Sequence, residues 1–319
     1  MIFEKHIVNA YKSMMHKRCD DTETVFYFSA DDFEGLNKEP YEFISSLGHT
    51  LKGYLYSYEN YIGGRLIVFD HGFGGGHRAY MKEIEKLCRH GYRVLAYDHT
   101  GCMESGGASP NGLAQSLCDL NDCISAIKAD VRFAKLDISV VGHSWGAFST
   151  MNIVALYPEI SHIVAMCGFV SVGEMLKTFF SGPLKGYRSA VMKLEEESSP
   201  EFINFDAVRS LTASSVKALL IYSENDTLCR RYHYDILREG LSKKDNVRFL
   251  FVKNKGHNPN YTENAVKLLG EFGKARAKLL KKKKLADEDK KKFVALFDWD
   301  KMTEQDEAVW TEIFDHLDS

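Results

Sequence analysis

The pentapeptide Gly142–Gly146, with the sequence Gly-His-Ser-Trp-Gly, constrains the fold of this chain more than any other feature. It follows an apolar, β-type run at 138–141 and lies at the start of a helix-like segment at 145–157. A G-x-S-x-G sequence at such a junction is typical of a sharp strand-to-helix turn that holds a serine hydroxyl at a sheet edge. Because the same pattern also fits a buried serine in a glycine-rich turn, its interpretation depends on the rest of the sequence.

β- and α-type patterns alternate along most of the chain, which predicts an α/β-class protein with a mostly parallel, doubly wound central sheet. A hairpin turning at Gly48-His49 and an amphipathic N-terminal helix precede this alternation. With 319 residues and 45% hydrophobic content, the chain can bury a large core. The strand-like runs are 65–70, 92–97, 137–141, 162–166, 216–222 and 247–252, and the helix-like segments are 79–90, 113–129, 145–157, 232–241 and 261–280.

Charge, hydropathy and cysteine content argue against several classes of protein. A net charge of −3 gives no global electrostatic support for nucleic-acid binding. The first residues lack the layout of a signal peptide, and no apolar stretch reaches the ~18 residues of a membrane span, so we expect a cytoplasmic protein without stable membrane insertion. Seven cysteines, an odd number without metal-type spacing, are typical of reduced thiols rather than a disulfide framework.

About fifty residues without a strand signal follow the strand-like run that ends at Met166, which is too long for a simple crossover connection. We predict a helical cap at 171–213, inserted before the strand that leads to the candidate acid described below. Met175, Phe179 and Phe180 would form its apolar wall over the site. The alternative is an ordinary helix that packs against the main body.

The cap divides the predicted hydrolase-sized core into a first part at 1–170 and a second part at 214–280. A lysine-rich helical extension is expected at 281–319. Its lysine runs are typical of a solvated helix face, with contact to an anionic membrane as the alternative. The tail, which contains Trp310 and Phe314, is expected to pack on the body or against another subunit, which would make the protein a homodimer.

A serine hydroxyl becomes a strong nucleophile when a histidine takes its proton and a carboxylate orients that histidine. Asp226 lies on the loop after the fifth of the six strand-like runs, where catalytic groups of such sheets gather, and is the candidate acid. Glu224 is its nearby competitor, and Asp226 also fits a helix cap. His257 follows the last strand-like run and is the candidate base for Ser144.

The attack of a serine on a carbonyl also requires hydrogen-bond donors for the oxyanion. We expect the backbone N–H groups of Trp145, directly after the serine, and of Phe73, in the glycine-rich run 72–76, to provide them. His71, next to this run, is expected to border the substrate pocket. A phosphate-binding loop is the alternative for 72–76, but neither G-x-x-x-x-G-K-[ST] nor G-x-G-x-x-G is present.

The motifs described above follow one another along the chain as they do in the α/β-hydrolase superfamily. The chain resembles that superfamily, and within it the branch of serine aminopeptidases and monoglyceride-lipase-like enzymes. The resemblance spans nearly 190 residues and predicts the α/β-hydrolase fold with a cap. Two residues depart from the usual pattern of the branch. Met103 replaces the second glycine of a D-x-x-G-x-G-x-S-like turn, and Asp70 replaces the apolar residue that commonly precedes the His-Gly pair. The matching features are His71-Gly72, Gly142–Gly146, Asp226 and Gly256-His257.

The resemblance implies a serine hydrolase of carboxylesterase or lipase type, with a small-molecule acyl substrate and neither cofactor nor metal. Aminopeptidase, amidase and thioesterase activities use the same groups and stay open. The acidic run Glu195–Glu197 could meet a substrate amine in a peptidase, although we expect it to face solvent. A non-catalytic binding protein on the same fold is the alternative of another class.

Overall fold

The computed structural model describes residues 3–282 and 284–319. Met1 and Ile2, at the start of the predicted first core part, and Lys283, in the predicted lysine-rich extension, lie outside the described residues.

The described strands form one eight-stranded sheet in the order β1-β2-β4-β3-β5-β6-β7-β8. The first hairpin and the β2–β4 pair are antiparallel, and every other neighbouring pair is parallel. The predicted doubly wound α/β sheet is therefore confirmed. The strands are β1 (Asn37–Ile44), β2 (Thr50–Ser57), β3 (Arg65–Asp70), β4 (Arg93–Tyr97), β5 (Asp137–His143), β6 (His162–Met166), β7 (Lys217–Ser223) and β8 (Val247–Val252).

The helices of the described chain connect these strands, cover both faces of the sheet and form the C-terminal part. They are α1 (Glu4–Met15), α2 (Met81–Arg89), α3 (Gln115–Ala129), α4 (Trp145–Ile153), α5 (Val172–Phe179), α6 (Arg188–Ser198), α7 (Ala207–Ala213), α8 (Arg231–Gly240), α9 (Glu263–Leu279), α10 (Asp287–Val294), α11 (Trp299–Met302) and α12 (Glu307–Leu317). None of these helices is both long and apolar enough to cross a membrane.

The predicted limits of β3 to β8 agree with the structure to within two residues. Each of these strands is a mostly apolar run between helix-like segments, and such a run is a strong signal in a sequence. Helix α4 is shorter than the predicted segment: it ends at Ile153, and residues 154–156 form a turn before Pro158. Strand β1 of the predicted hairpin begins at Asn37, because pairing with β2 extends it through polar residues that carry no apolar pattern.

Apolar side chains pack on both faces of the sheet, as expected for parallel strands covered by helices. On one face β-strand residues such as Val68 and Val140 pack with α3 and α4, and on the other Ile67 and Val141 pack with α2 and α12. Trp310 is completely buried and belongs to the second of these faces, so the tail packs on the body.

The range 171–213 contains the helices α5, α6 and α7 and a short 3-10 turn at Gly182–Tyr187. Helix α7 packs against α4 of the main body, and the Ala207 N–H donates to the Val170 carbonyl. Helices α5 and α6 pack against each other and α6 against α1. The N-terminal helix therefore accompanies this part of the chain, which the sequence pattern did not predict.

Parallel strands end at the same edge of a sheet, so the loops after β3, β5, β7 and β8 lie side by side. These loops contain the glycine-rich run 72–76, the turn at Ser144, and the segments around Asp226 and His257. This shared edge positions the candidate site.

Candidate active site

The turn between β5 and α4 holds Ser144 in an unusual backbone conformation, with φ of 56° and ψ of −111°. Its N–H donates to the Met166 carbonyl at 2.8 Å, which ties the turn to β6. A Cβ atom at Gly142 would overlap with Thr150 Oγ1, and one at Gly146 would overlap with the Asp70 carbonyl. The close approach of strand and helix therefore requires both glycines, as the motif predicts.

A continuous hydrogen-bonded chain joins three of the predicted site residues. Ser144 Oγ lies 2.8 Å from His257 Nε2, and His257 Nδ1 lies 2.8 Å from Asp226 Oδ2. With Nδ1–H donating to the carboxylate, Nε2 is the acceptor for the serine hydroxyl. An arrangement of this kind can take a proton from serine and stabilise the imidazolium that results.

Asp226 is held by its own loop as well as by the histidine. It is buried, and its Oδ1 accepts the backbone N–H groups of Leu228 at 2.8 Å and Cys229 at 3.2 Å. Burial alone would raise the pKa of the Asp226 carboxyl, but the hydrogen bond and charge of His257 outweigh it and lower the pKa. Its competitor Glu224 is exposed, and its side chain has no bond to His257.

Cys167 lies on the other side of Asp226, and the ligand atoms of Cys167, Asp226 and His257 lie within 4.8 Å of one another. Burial, followed by the charge of Asp226, raises the pKa of the Cys167 thiol well above its ordinary value. The thiol therefore keeps its proton and lies against Asp226, whose pKa it helps to lower. We interpret Cys167 as a hydrogen-bonding support for the carboxylate.

The two expected oxyanion donors lie on adjacent loops. The rings of Phe73 and Trp145 are in edge contact, with their centroids 5.2 Å apart. Neither backbone N–H donates a hydrogen bond to any described residue, so both are available to a bound group. Gly74 and Gly76, with φ of 116° and 63°, form the turn that carries Phe73.

Two residues that sequence reasoning did not select join the loops of the site. Tyr80, in the short 3-10 turn before α2, contacts Gly72 and His143 through its hydroxyl. His143 Nε2 donates to the backbone carbonyl of His257 at 2.7 Å. The position of His143 next to Ser144 was a signal that could have been used, but nothing in the sequence pointed to Tyr80.

A cavity of 460 Å³ opens over Ser144. Met175 and Phe179 of α5, two of the expected pocket residues, line it. Met14 and Met15 of α1 line it too, so the N-terminal helix forms part of the wall. The amphipathic pattern of the first residues predicted this helix, but it did not indicate that the apolar side of the helix would line a cavity.

Two predicted pocket residues and one predicted surface residue lie elsewhere. His71 is completely buried, and its Nε2 accepts the backbone N–H of His99 at 2.9 Å, so it does not line the cavity. Phe180 is also absent from the cavity wall, because it packs against Tyr11 with a ring separation of 5.9 Å. Of the run Glu195–Glu197, which we expected to face solvent, Glu196 and Glu197 are exposed but Glu195 is only 1% exposed.

The departure at Asp70 is explained by a buried ionic cluster behind Trp145. His99 is completely buried between two carboxylates, with Nε2 3.0 Å from Asp70 and Nδ1 3.3 Å from Asp119. Burial alone would lower the pKa of His99, but the charge of Asp70 and the contacts with Asp119 raise it to about 10. Asp70 therefore replaces an apolar residue because the loop after β4 places a cation beside it.

Comparison with known proteins places this geometry among related folds. Residues 65–220 match the family described as alpha/beta hydrolase fold. An esterase from Pyrococcus furiosus is 21% identical and has a TM-score of 0.59, with 82% of this chain and 96% of the esterase covered. Comparison with curated proteins gives no match.

Other similar structures include enzymes that act on different bonds. An esterase domain from a Rhodothermus marinus protein is 15% identical with a TM-score of 0.51, covering 76% of this chain and 98% of the domain. A puromycin-hydrolysing peptidase from Mycobacterium tuberculosis is 14% identical with a TM-score of 0.54, covering 70% of this chain and 36% of the peptidase. At these identities the likeness concerns the fold.

Proposed function

We propose that this chain, which belongs to the α/β-hydrolase superfamily, is a serine hydrolase that cleaves carboxylic esters through an acyl-enzyme. The observation that carries the proposal is the unbroken chain of two 2.8 Å contacts from Ser144 through His257 to Asp226. A buried carboxylate, a histidine and a serine on a strained turn have no structural need to align in this way, whereas nucleophilic catalysis requires it.

In the proposed reaction Ser144 Oγ attacks the ester carbonyl while His257 Nε2 takes the hydroxyl proton. The backbone N–H groups of Phe73 and Trp145 stabilise the oxyanion of the tetrahedral intermediate. His257 then passes the proton to the leaving alcohol, and the acyl-enzyme remains. Water activated by His257 releases the carboxylic acid, and Asp226 holds the imidazole and stabilises its charged form in both halves.

The walls of the cavity support an apolar acyl group as substrate. Side chains from α1 and α5, namely Met14, Met15, Met175 and Phe179, surround the space over Ser144. A cavity of 460 Å³ lies within the range of small-molecule sites, so an ester of moderate size fits.

A peptidase is the second candidate, because similar folds include a puromycin-hydrolysing peptidase. Of the acidic run Glu195–Glu197, Glu196 and Glu197 are exposed and do not line the cavity over Ser144, so they give a peptidase no support. Glu195 is buried and accepts hydrogen bonds from the Tyr11 hydroxyl and the Leu113 N–H. An ester is therefore the better proposal.

Labelling with a fluorophosphonate probe tests the nucleophile. We expect the wild type to be labelled and Ser144→Ala to be unlabelled, while the exposed-site control Ser242→Ala is labelled like the wild type. Labelling that persists in Ser144→Ala would contradict the assignment of the nucleophile. No labelling of a folded wild type would favour a non-catalytic binding protein.

A matched substrate panel then tests the bond type. It should contain p-nitrophenyl esters of short and long acyl chains, an acyl-CoA thioester and an aminoacyl amide, compared by kcat/KM. We expect the apolar esters to have the highest values. A higher kcat/KM for the aminoacyl amide would replace the esterase proposal with the peptidase.

A further inference from the structure

A second cavity, of 240 Å³, lies behind Tyr80 as seen from Ser144. It shares Tyr80 and Asn258 with the first cavity, so these two side chains form a common wall. The other walls come from the N-terminal segment at 25–28, from residues 78–83, where Glu83 is buried, and from the helices α9 and α11.

Aromatic side chains form a large part of the lining of this second cavity. Phe26 and Tyr27 line one side, and Phe272 and Trp299 line the other, with the rings of Phe272 and Trp299 5.0 Å apart. Aromatic walls favour an apolar or aromatic ligand. The volume is below the usual range for drug-sized ligands, so the ligand must be small.

One cation in the wall has neither a hydrogen-bond nor an ion-pair partner among the described residues. Arg78 is partly buried and forms neither an ion pair nor a hydrogen bond with any of the described residues. Its guanidinium lies 5.9 Å from the centroid of the Tyr27 ring. Lys82, the other cation of the lining, is paired with Asp300. Arg78 is therefore the lining cation that is free to bind an anion.

Arg78 also lines a wider, open groove of 540 Å³ that shares Phe26, Tyr27 and Trp299 with the second cavity. The guanidinium of Arg78 therefore lies between the second cavity and the open surface groove. A planar guanidinium forms paired hydrogen bonds with a carboxylate and retains its charge at all relevant pH values.

We propose that the second cavity binds a small apolar or aromatic carboxylate, with the carboxylate on Arg78 and the apolar part between Phe272, Trp299 and the ring of Tyr80. This ligand site is separate from the space over Ser144 and does not depend on the proposed hydrolase activity. Asn258, which directly follows His257, belongs to the wall between the two cavities. A ligand in the second cavity therefore contacts the side of this wall that faces away from Ser144.

Isothermal titration with 4-phenylbutyrate, and with the neutral 4-phenylbutan-1-ol for comparison, tests the site. We expect the full chain to bind 4-phenylbutyrate with a Kd of about 1 mM or lower. Arg78→Gln should weaken binding of the acid about tenfold or more, because a charge-assisted contact is lost. It should leave binding of the alcohol unchanged.

Arg238→Gln is the matched control. Arg238 also lies over an aromatic ring, 5.2 Å from the Phe249 centroid, but it is exposed and lines neither cavity. This variant should bind the acid like the wild type. Circular dichroism of each variant establishes that it is folded.

Two cavity-filling variants locate the ligand. Leu269→Trp fills the second cavity and should abolish binding, whereas Met175→Trp fills the first and should leave binding intact. The proposal is overturned if the wild type shows no saturable binding, if Arg78→Gln binds the acid as tightly as the wild type, or if Met175→Trp removes the binding.

Discussion

The hydroxyl of Tyr80 lies 2.8 Å from Nδ1 of His143, the residue that precedes the candidate nucleophile. The same hydroxyl accepts the Gly72 N–H at 3.1 Å. Because His143 Nε2 donates to the His257 carbonyl, Nδ1 carries no proton and accepts from Tyr80. Burial lowers the pKa of His143 to about 3, so the imidazole stays neutral. One phenol and one imidazole thus connect the loops after β3, β5 and β8.

Replacement of Tyr80 by phenylalanine removes the connection but keeps the ring. We expect kcat/KM for a p-nitrophenyl ester to fall about tenfold, since two hydrogen bonds that position the glycine-rich and serine loops are lost. Steady-state kinetics measure the effect. Tyr157→Phe is the control, because the Tyr157 hydroxyl bonds to Ser125 and Asn121 away from the site. Equal kcat/KM values for both variants would show that Tyr80 has no positioning role.

The carboxylate that orients His257 can be identified with two variants of one loop. Asp226→Asn should lower kcat by about three to four orders of magnitude, because the amide favours the wrong tautomer of the histidine. Glu224→Gln should change kcat less than about twofold, because Glu224 is exposed and makes no contact with His257. Loss of activity in Glu224→Gln with retention in Asp226→Asn would reverse the assignment.

Glu195, in α6, joins that helix to the N-terminal helix α1. It accepts the Tyr11 hydroxyl at 2.7 Å and the Leu113 N–H at 2.6 Å. Glu195→Gln should lower the free energy of unfolding by about 1–3 kcal/mol, since the amide cannot accept both hydrogen bonds as strongly. Because α1 contributes Met14 and Met15 to the cavity, KM for an apolar ester should rise while kcat changes little.

Urea unfolding and steady-state kinetics measure these two effects of Glu195. The neighbouring Glu196 is exposed, so Glu196→Gln is a matched control that should change neither quantity. A Glu195→Gln variant with wild-type stability and KM would mean that α1 is held by its other contacts alone.

His99 predicts how stability depends on alkaline pH. Its pKa of about 10 in the folded chain exceeds the ordinary value of 6.5, so its contribution is fully present below pH 6.5 and is lost as pH rises towards 10. Between pH 7 and 8, where the unfolded chain has released this proton and the folded chain has not, the free energy of unfolding should fall by about 1.4 kcal/mol per pH unit from this group.

Urea unfolding at pH 7.0, 7.5 and 8.0 tests this expectation. The double variant Asp70→Asn/His99→Gln removes one buried negative and one buried positive charge, and it should lose the pH dependence. His90→Gln, on a partly exposed histidine, should retain it. The same slope in the double variant and in the wild type would assign the effect to other groups.

Much of the framework could be read from local patterns. Runs such as 65–70 and 247–252 are apolar over the whole length of a strand, so their limits follow from the residues themselves. The candidate residues Ser144, Asp226 and His257 each follow a strand, and parallel strands must end at one edge. The structure brings these three together for that reason.

The sequence by itself determined the α/β class, the order along the chain of the loops that carry the candidate residues, and the turn that holds Ser144. Glycine spacing and hydrophobic periodicity determine these features because both are properties of residues close together in the chain. Only the tertiary structure decided that Tyr80 meets His143, that α1 forms a wall of the cavity, and that Glu195 is buried. Those contacts join residues far apart in the chain. They depend on how helices pack and how completely a charge is enclosed, which no local pattern encodes.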